Sequence, residues 1–314
     1  MLLKEIKDIF HTELGAIYPK EEIDSFFYSC IEHYLNLERF ILAIQPGITL
    51  NKDEEQPLFE ALSELKLEKP LQYILGTAHF MDLELHVDEN VLIPRPETEE
   101  LVQWILDDFR FQKSEIRNQK REEFKLDAER SRSVISTPLN DHSLRVLDIG
   151  TGSGCIAIVL AKQLPDAKIY ALDVSEGALK VAQKNAASNG VDVTFLHDDI
   201  LNSNIELNFD IIVSNPPYVR ELEKDEIQKN VKNYEPGTAL FVPDEDPLVF
   251  YRAIISFAEK HLSEKGKLYF EINQYLGEET KALFNHLNFS EIELRKDMFG
   301  NYRMLKANVP SRGI

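Results

Sequence analysis

Asn215-Pro216-Pro217-Tyr218 follows the apolar run Phe209-Asp210-Ile211-Ile212-Val213-Ser214. Two consecutive prolines end a strand, because neither can donate to a sheet ladder. A residue before proline also avoids the helical region, which restricts Asn215. The result is a stiff corner with a planar amide at one end and an aromatic ring at the other. Such a corner suits holding a flat amide or amine while chemistry occurs at its nitrogen. An amide nitrogen is a poor nucleophile, because its lone pair is delocalised into the carbonyl. The Asn215 side-chain oxygen and the Pro216 carbonyl could each accept one N–H, orienting the nitrogen and favouring a more nucleophilic state as charge develops. Tyr218 could pack on the amide plane and exclude water. The proton can leave late, so no strong general base is required.

A second constellation precedes it. Asp148-Ile149-Gly150-Thr151-Gly152-Ser153-Gly154 follows a short apolar strand and opens a helix. Glycines allow a sharp turn and a close ligand approach. Asp173 ends the next strand, 19 residues after Gly154. A carboxylate there can accept from both ribose hydroxyls of a nucleoside. The loop lacks a Gly-Lys-Ser/Thr ending and the Gly-x-Gly-x-x-Gly order, so a nucleoside without phosphates fits best; S-adenosylmethionine is the common one. Asp199, next to Asp198, could accept from an adenine amino group, and Ile200 could cover one adenine face. The expected cofactor contacts are therefore Gly150, Thr151, Gly152, Ser153, Gly154, Asp173, Asp199, Ile200 and Asn215. Each piece has a plainer reading: a glycine loop is often only a turn, Asp198-Asp199 an Asx turn or helix cap, and Asn-Pro-Pro-Tyr a rigid turn or proline-rich ligand.

These residues need a frame. From 144 onward apolar strands alternate with amphipathic helices, which implies a parallel sheet covered on both faces. That places the glycine loop, Asp173, Asp198-Asp199 and Asn215 at one sheet edge. Ile292-Glu293-Leu294 and Tyr302-Arg303-Met304-Leu305 flank Phe299-Gly300-Asn301 and predict a terminal hairpin with an antiparallel last strand. Residues 1–75 carry apolar residues at helical spacing and predict a small helical bundle for substrate docking. Residues 76–95 predict a β-hairpin linker, with two short strands around Asp88-Glu89-Asn90. Residues 96–314 form the expected catalytic domain, and Pro96 followed by acidic residues opens its first helix. Within it, 108–143 is charge-rich and predicts a solvated helix extension and a mobile loop.

Composition narrows the classes. The chain has 314 residues, 43% of them hydrophobic, enough for a real core. No run of 18 apolar residues marks a membrane span, and the charged start does not read as a signal peptide. Cys30 and Cys155, far apart, suit a reducing cytoplasm. The eight histidines are scattered, and no metal site is expected. A formal net charge of −19 weighs against a nucleic-acid acceptor.

The combination resembles the HemK/PrmC family of peptide chain release factor glutamine methyltransferases. Asn-Pro-Pro-Tyr alone is shared with DNA amino-methyltransferases, but other segments also fit: Pro70-Leu71-Gln72-Tyr73-Ile74-Leu75-Gly76, Val91-Leu92-Ile93-Pro94-Arg95-Pro96-Glu97-Thr98-Glu99, Glu235-Pro236 and Asp297 with Gly300 and Arg303. The likeness runs from about 65 to 306. It implies a Rossmann-like class I S-adenosylmethionine-dependent methyltransferase. The sheet would be mostly parallel and seven-stranded with a terminal antiparallel hairpin, beside an N-terminal helical bundle. The implied substrate is the glutamine of a release factor's Gly-Gly-Gln motif, and the enzyme is expected to be a cytoplasmic monomer without direct nucleic-acid contact. Asn215, Pro216 and Tyr218 carry catalysis in this reading, with Pro217, Arg95 and Glu97 beside the substrate; Glu97 and Glu271 are candidates for shaping the pocket. The chain departs from the family pattern at Ile200, where Trp is frequent, and at Asn273, where Gly is usual. Rival readings are a ribosomal-protein glutamine, a DNA or RNA base amine, and a non-catalytic binding module.

Overall fold

Leu3, Ile6, Phe10 and Leu14 recur at helical spacing and are all buried on one side of α1 (Leu3–Leu14). The computed structural model containing this helix describes residues 1–111 and 143–310. Ile23, Phe27, Cys30 and Ile31 form the matching stripe of α2 (Lys20–Leu35), which ends at Asn36 in the left-handed conformation. After the short α3 (Ile41–Ile44), Asn51 starts α4 (Lys52–Leu65) by accepting from the Asp53 and Glu54 amides. Phe10 and Phe27 meet edge to face, 5.5 Å apart, in the core these helices share with the residues around α5 (Leu71–Leu75).

The connecting hairpin differs from the sequence expectation. β1 (Thr77–Phe80) pairs antiparallel with β2 (Leu83–His86), and the chain reverses at Met81-Asp82, not at Asp88-Glu89-Asn90. Residues 91–93 form no strand. Val91 and Ile93 are buried because the segment lies against Ala178 and Val181, and that contact imitates the alternation of a strand.

Helix α6 begins at residue 96 and is described to residue 111; the rest of the predicted polar insertion, 112–142, lies outside the described residues. Its Leu101, Val102, Trp104 and Ile105 are buried in the same core as Val146 and Ile211. The sheet then unfolds in sequence: β3 (Arg145–Ile149), α7 (Cys155–Gln163), β4 (Lys168–Asp173), α8 (Glu176–Ser188), β5 (Thr194–His197) and β6 (Phe209–Ser214). A two-residue parallel ladder follows, β7 (Val219–Arg220) with β8 (Phe241–Val242), enclosing α9 (Lys229–Tyr234) and α10 (Gly237–Leu240); the sequence reading missed all four. The chain continues through α11 (Val249–His261), β9 (Leu262–Glu271), α12 (Gly277–Ala282), β10 (Ser290–Lys296) and β11 (Tyr302–Asn308).

The seven strands lie in the order β10-β11-β9-β6-β3-β4-β5. β11 pairs antiparallel with both neighbours, and the pairs from β9 to β5 are parallel. The chain leaves β3 toward β4 and β5 on one side, then returns to β6 and β9 on the other. Ligands of open α/β sheets bind at such a switch point, outside the carboxyl ends of the strands.

Candidate active site

Residues 150–154 leave β3 as a tight loop. The Gly150 and Thr151 amides both donate to the Leu172 carbonyl of β4, at 2.8 and 3.0 Å. Gly150, Gly152 and Gly154 all have positive φ. At Gly154 (φ +82°) a Cβ would stand 3.0 Å from Ile158 Cδ1 and 3.1 Å from Ala182 Cβ, so this glycine lets α7 pack against α8. At Gly150 and Gly152 a Cβ would meet nothing within 4 Å. The loop backbone is therefore bare where it faces the cavity.

Asp173 ties this loop to the next helix. Its Oδ2 accepts from Gly152 N and its Oδ1 from Ser175 N, both at 2.9 Å. A carboxylate has about four acceptor positions, so each oxygen retains capacity for a ligand hydroxyl. Burial pushes the Asp173 carboxyl above its ordinary value, against these backbone donors. Asp148, fully buried, accepts from the Thr151 hydroxyl at 2.6 Å, while its Oδ1 has no hydrogen-bond partner. Burial pushes its carboxyl up to about 7; the Thr151 hydroxyl and the Ala157 amide oppose this and the charge of Asp173 adds to it. Asn185, a buried residue that the sequence reading passed over, donates to the carbonyls of Ser153 and His86, at 2.9 Å each. It fixes the loop to the connecting hairpin.

One cavity, about 1080 Å³ with its open mouth, is lined by Gly150, Thr151, Gly152, Ser153, Asp173, Asp198, Asp199 and Ile200, and also by Asn215, Pro216, Pro217 and Arg95. The sheet edge thus brings both sequence constellations together. Gly154, Glu97 and Tyr218 do not line it. Gly154 is turned to helix packing, and Glu97 lies close enough to Glu271 to disfavour that residue's charge. Tyr218 sends its hydroxyl inward, to Glu271. Arg95 is already engaged: its Nη2 donates to Glu235 Oε1 at 2.5 Å, and Ile93 N donates to Glu235 Oε2 at 3.2 Å. That pair clamps the 91–95 segment to the start of α10, where Pro236 and Thr238 both line the cavity.

A side-chain network stands behind Asn215. Its Nδ2 donates to Thr98 Oγ1 at 3.2 Å, and Thr98 donates to Glu271 Oε2 at 2.6 Å. The Tyr218 hydroxyl donates to Glu271 Oε1 at 2.9 Å. Glu271 is 1% exposed and Thr98 2%. Burial pushes the Glu271 carboxyl up; the two hydroxyls and the positive charge of Arg303 oppose that. Arg303 is held in turn by Asp297 Oδ2, 3.2 Å from its Nε. Asn273 supports the same corner by donating to the Tyr218 carbonyl and to Glu223 Oε2, at 2.9 and 3.0 Å. Thr98 was missed from sequence, although it is a polar residue on the buried stripe of Leu101, Val102 and Ile105. Among the described residues no donor reaches Asn215 Oδ1 or the Pro216 carbonyl. These two acceptors are available to a ligand.

The residues suit a cationic nucleoside. Three acidic residues, Asp173, Asp198 and Asp199, line the cavity, and their field favours a positive ligand. The glycine backbone is open, and no group of three or more His, Cys, Asp or Glu among the described residues could hold a metal.

Known proteins resemble this chain along nearly its whole length. Residues 125–233 match the family model "Methyltransferase small domain" and residues 13–76 match "PrmC N-terminal domain". The chain is 48% identical over 309 residues to a release factor glutamine methyltransferase of Flavobacterium psychrophilum, covering 98% of this chain and 99% of that one. A protein of the same name from Bacteroides thetaiotaomicron is 38% identical over 98% of this chain and 100% of its own. Among solved structures, a methyltransferase from Pyrococcus furiosus is 16% identical, covers 83% of this chain and 100% of its own, and superposes with a TM-score of 0.47.

Proposed function

This chain belongs to the release factor glutamine methyltransferase family, and from that premise we propose that it methylates the side-chain amide nitrogen of the glutamine in the Gly-Gly-Gln motif of class 1 peptide chain release factors. The observation that carries the reading is the single cavity shared by the bare glycine loop with Asp173 and by Asn215-Pro216 with two free acceptor oxygens. S-adenosylmethionine, when bound, supplies an electrophilic methyl group. Asp173 would hold its ribose hydroxyls, the 150–154 backbone would lie along its amino-acid part, and Asp199 and Ile200 would meet its adenine.

At the other end Asn215 Oδ1 and the Pro216 carbonyl each take one N–H of the acceptor carboxamide. Two acceptors fix the nitrogen in orientation, and holding reactants in a productive geometry supplies much of the rate. They also stabilise the positive charge that grows on the nitrogen as it is methylated. The rigid Pro216-Pro217 backbone keeps the two oxygens in place without reorganisation. Tyr218 serves from behind through Glu271. The charge of the chain, −19 overall, favours a protein acceptor over a nucleic-acid backbone. The same reading takes the enzyme as a monomer acting in the cytoplasm, and takes residues 1–75 as the docking domain for the acceptor protein.

The test is tritium transfer from S-adenosylmethionine to three purified acceptors: a release factor, ribosomal protein and DNA. Transfer to the release factor alone, lost when its Gly-Gly-Gln glutamine is alanine, is the expected result. Transfer to the alanine acceptor, or preferential transfer to either rival, overturns the assignment.

A further inference from the structure

A primary amide has two ends of similar shape and opposite hydrogen-bonding sense, and either end of Asn215 could face the cavity. Only one choice presents an acceptor to an incoming N–H. The proton count of the network behind it decides the matter. The two oxygens of Glu271 receive the hydroxyls of Thr98 and Tyr218, at 2.6 and 2.9 Å. Ionised Glu271, the form that the two hydroxyls and the charge of Arg303 favour against burial, can only accept, and a hydroxyl has one proton to give. Thr98 spends its proton on Glu271, so its oxygen has only lone pairs left for Asn215, 3.2 Å away. The Asn215 atom facing Thr98 must then be the NH₂. The opposite end, Oδ1, is turned away from the network, and Asn215 lines the cavity. The reversed amide would set two lone-pair-bearing oxygens against each other beside Thr98, which is 2% exposed, and would leave both without a donor.

We propose that Thr98, held by Glu271, is the positioning residue that sets the polarity of Asn215, and that it thereby restricts the acceptor to a group donating hydrogen: a carboxamide is taken and a carboxylate of the same shape is refused. This rests on the reading given under Proposed function. Thr98 also lines the cavity, but in this scheme it acts through Asn215. Its position in the first turn of α6 links the choice to the segment that also carries Arg95.

Thr98→Val keeps the shape and removes both the donor and the acceptor; Thr98→Ser keeps both. The assay measures kcat and KM for a release factor, and the inhibition constant of the same release factor carrying glutamate in place of the acceptor glutamine. With Asn215 free to turn over, Thr98→Val should lose on the order of 100-fold in kcat, Thr98→Ser should recover most of it, and S-adenosylmethionine affinity by calorimetry should stay near wild type. The glutamate-bearing factor should inhibit Thr98→Val better, relative to the glutamine KM, than it inhibits wild type. A residue that merely supports the fold would weaken both acceptors together. Should Thr98→Val fold poorly, Glu271→Gln carries the same test, because its amide offers a donor to Thr98 or Tyr218 and breaks the proton order. Near-wild-type kcat in the folded variant, or an unchanged glutamate-to-glutamine ratio, overturns this inference alone. A wild-type enzyme silent toward release factor overturns the functional reading and this inference with it.

Discussion

The two halves of the cavity are built differently. In the glycine-loop half the backbone does the positioning: Leu172 O takes two loop amides, and Gly152 N and Ser175 N fix Asp173. Its residues lie within one βαβ stretch. In the Asn215 half the positioning is done by side chains from α6, β9 and the β6–β7 connection. Thr98 is 117 residues from Asn215 and 173 from Glu271. A backbone-built site tolerates many side chains but few changes of glycine. A side-chain relay depends on each hydrogen-bonding group in turn, because a buried donor or acceptor left unpaired bears its full desolvation cost.

The sharpest way to break this comparison is to remove the group on which the relay converges. Asn215→Ala should lower kcat for release factor methylation about 10²- to 10³-fold, the range for deleting one preorganised polar group at a reacting centre. If the halves are separable, calorimetric affinity for S-adenosylmethionine should change little. A variant that loses cofactor binding and turnover together would show that Asn215 serves both halves equally, and the division would fail.

The difference also explains what could be read from the sequence. The glycine loop, Asp173 and the strand ending at Ser214 are local signals; the alternation from 144 onward is enough for the parallel sheet, and the runs flanking Phe299-Gly300-Asn301 for the antiparallel β11. The hairpin was misplaced because Val91 and Ile93 are buried by α8, a contact no local pattern displays. Thr98 stands in a segment distinguished in the sequence by its prolines and acids, yet its role depends on two partners far along the chain. The same holds for Asn185 and Asn273, whose carbonyl and carboxylate partners are set by tertiary packing. Arg95 was expected at the substrate; the buried Glu235 carboxylate that engages it comes from 140 residues away. Polar residues that brace a site were legible as anomalies on apolar stripes, without their partners.

Two glycine substitutions sharpen the contrast within the backbone-built half. Gly154→Ala meets both a positive φ and the Ala182 backbone, whose Cα would lie 3.3 Å from the new Cβ. Strain and overpacking together should cost about 3 kcal/mol of unfolding free energy. Gly152→Ala meets the φ cost alone, since its Cβ would stand in open space, and should cost about 1 kcal/mol. Its larger effect should be on cofactor affinity, because the new methyl occupies the space a ligand approaches. Urea unfolding and cofactor titration should therefore rank the two variants in opposite orders. The same order in both experiments would mean that the loop is only a turn.

Asp148 tests whether the backbone of this half protects every carboxylate equally. Asp173 accepts from two backbone amides at 2.9 Å, whereas Asp148 accepts from the Thr151 hydroxyl and leaves Oδ1 unpartnered, the Ala157 amide being its only backbone support. Its carboxyl is pushed from 3.8 to about 7 by burial, with the Thr151 hydroxyl and the Ala157 amide opposing and the charge of Asp173 adding. The folded protein thus keeps a proton that the unfolded chain has released. The stability this proton contributes is complete below pH 3.8 and is lost as pH rises through about 7. An asparagine side chain at this position would still accept from Thr151 and cannot ionise. Asp148→Asn should therefore gain on wild type by about 2 kcal/mol between pH 5 and pH 8 in ligand-free protein. Bound S-adenosylmethionine should shrink that gap, since a cation in the cavity favours the ionised carboxylate. Parallel stability curves for the two proteins across this range would mean that Asp148 is ionised throughout, and that the loop backbone shields it as well as it does Asp173.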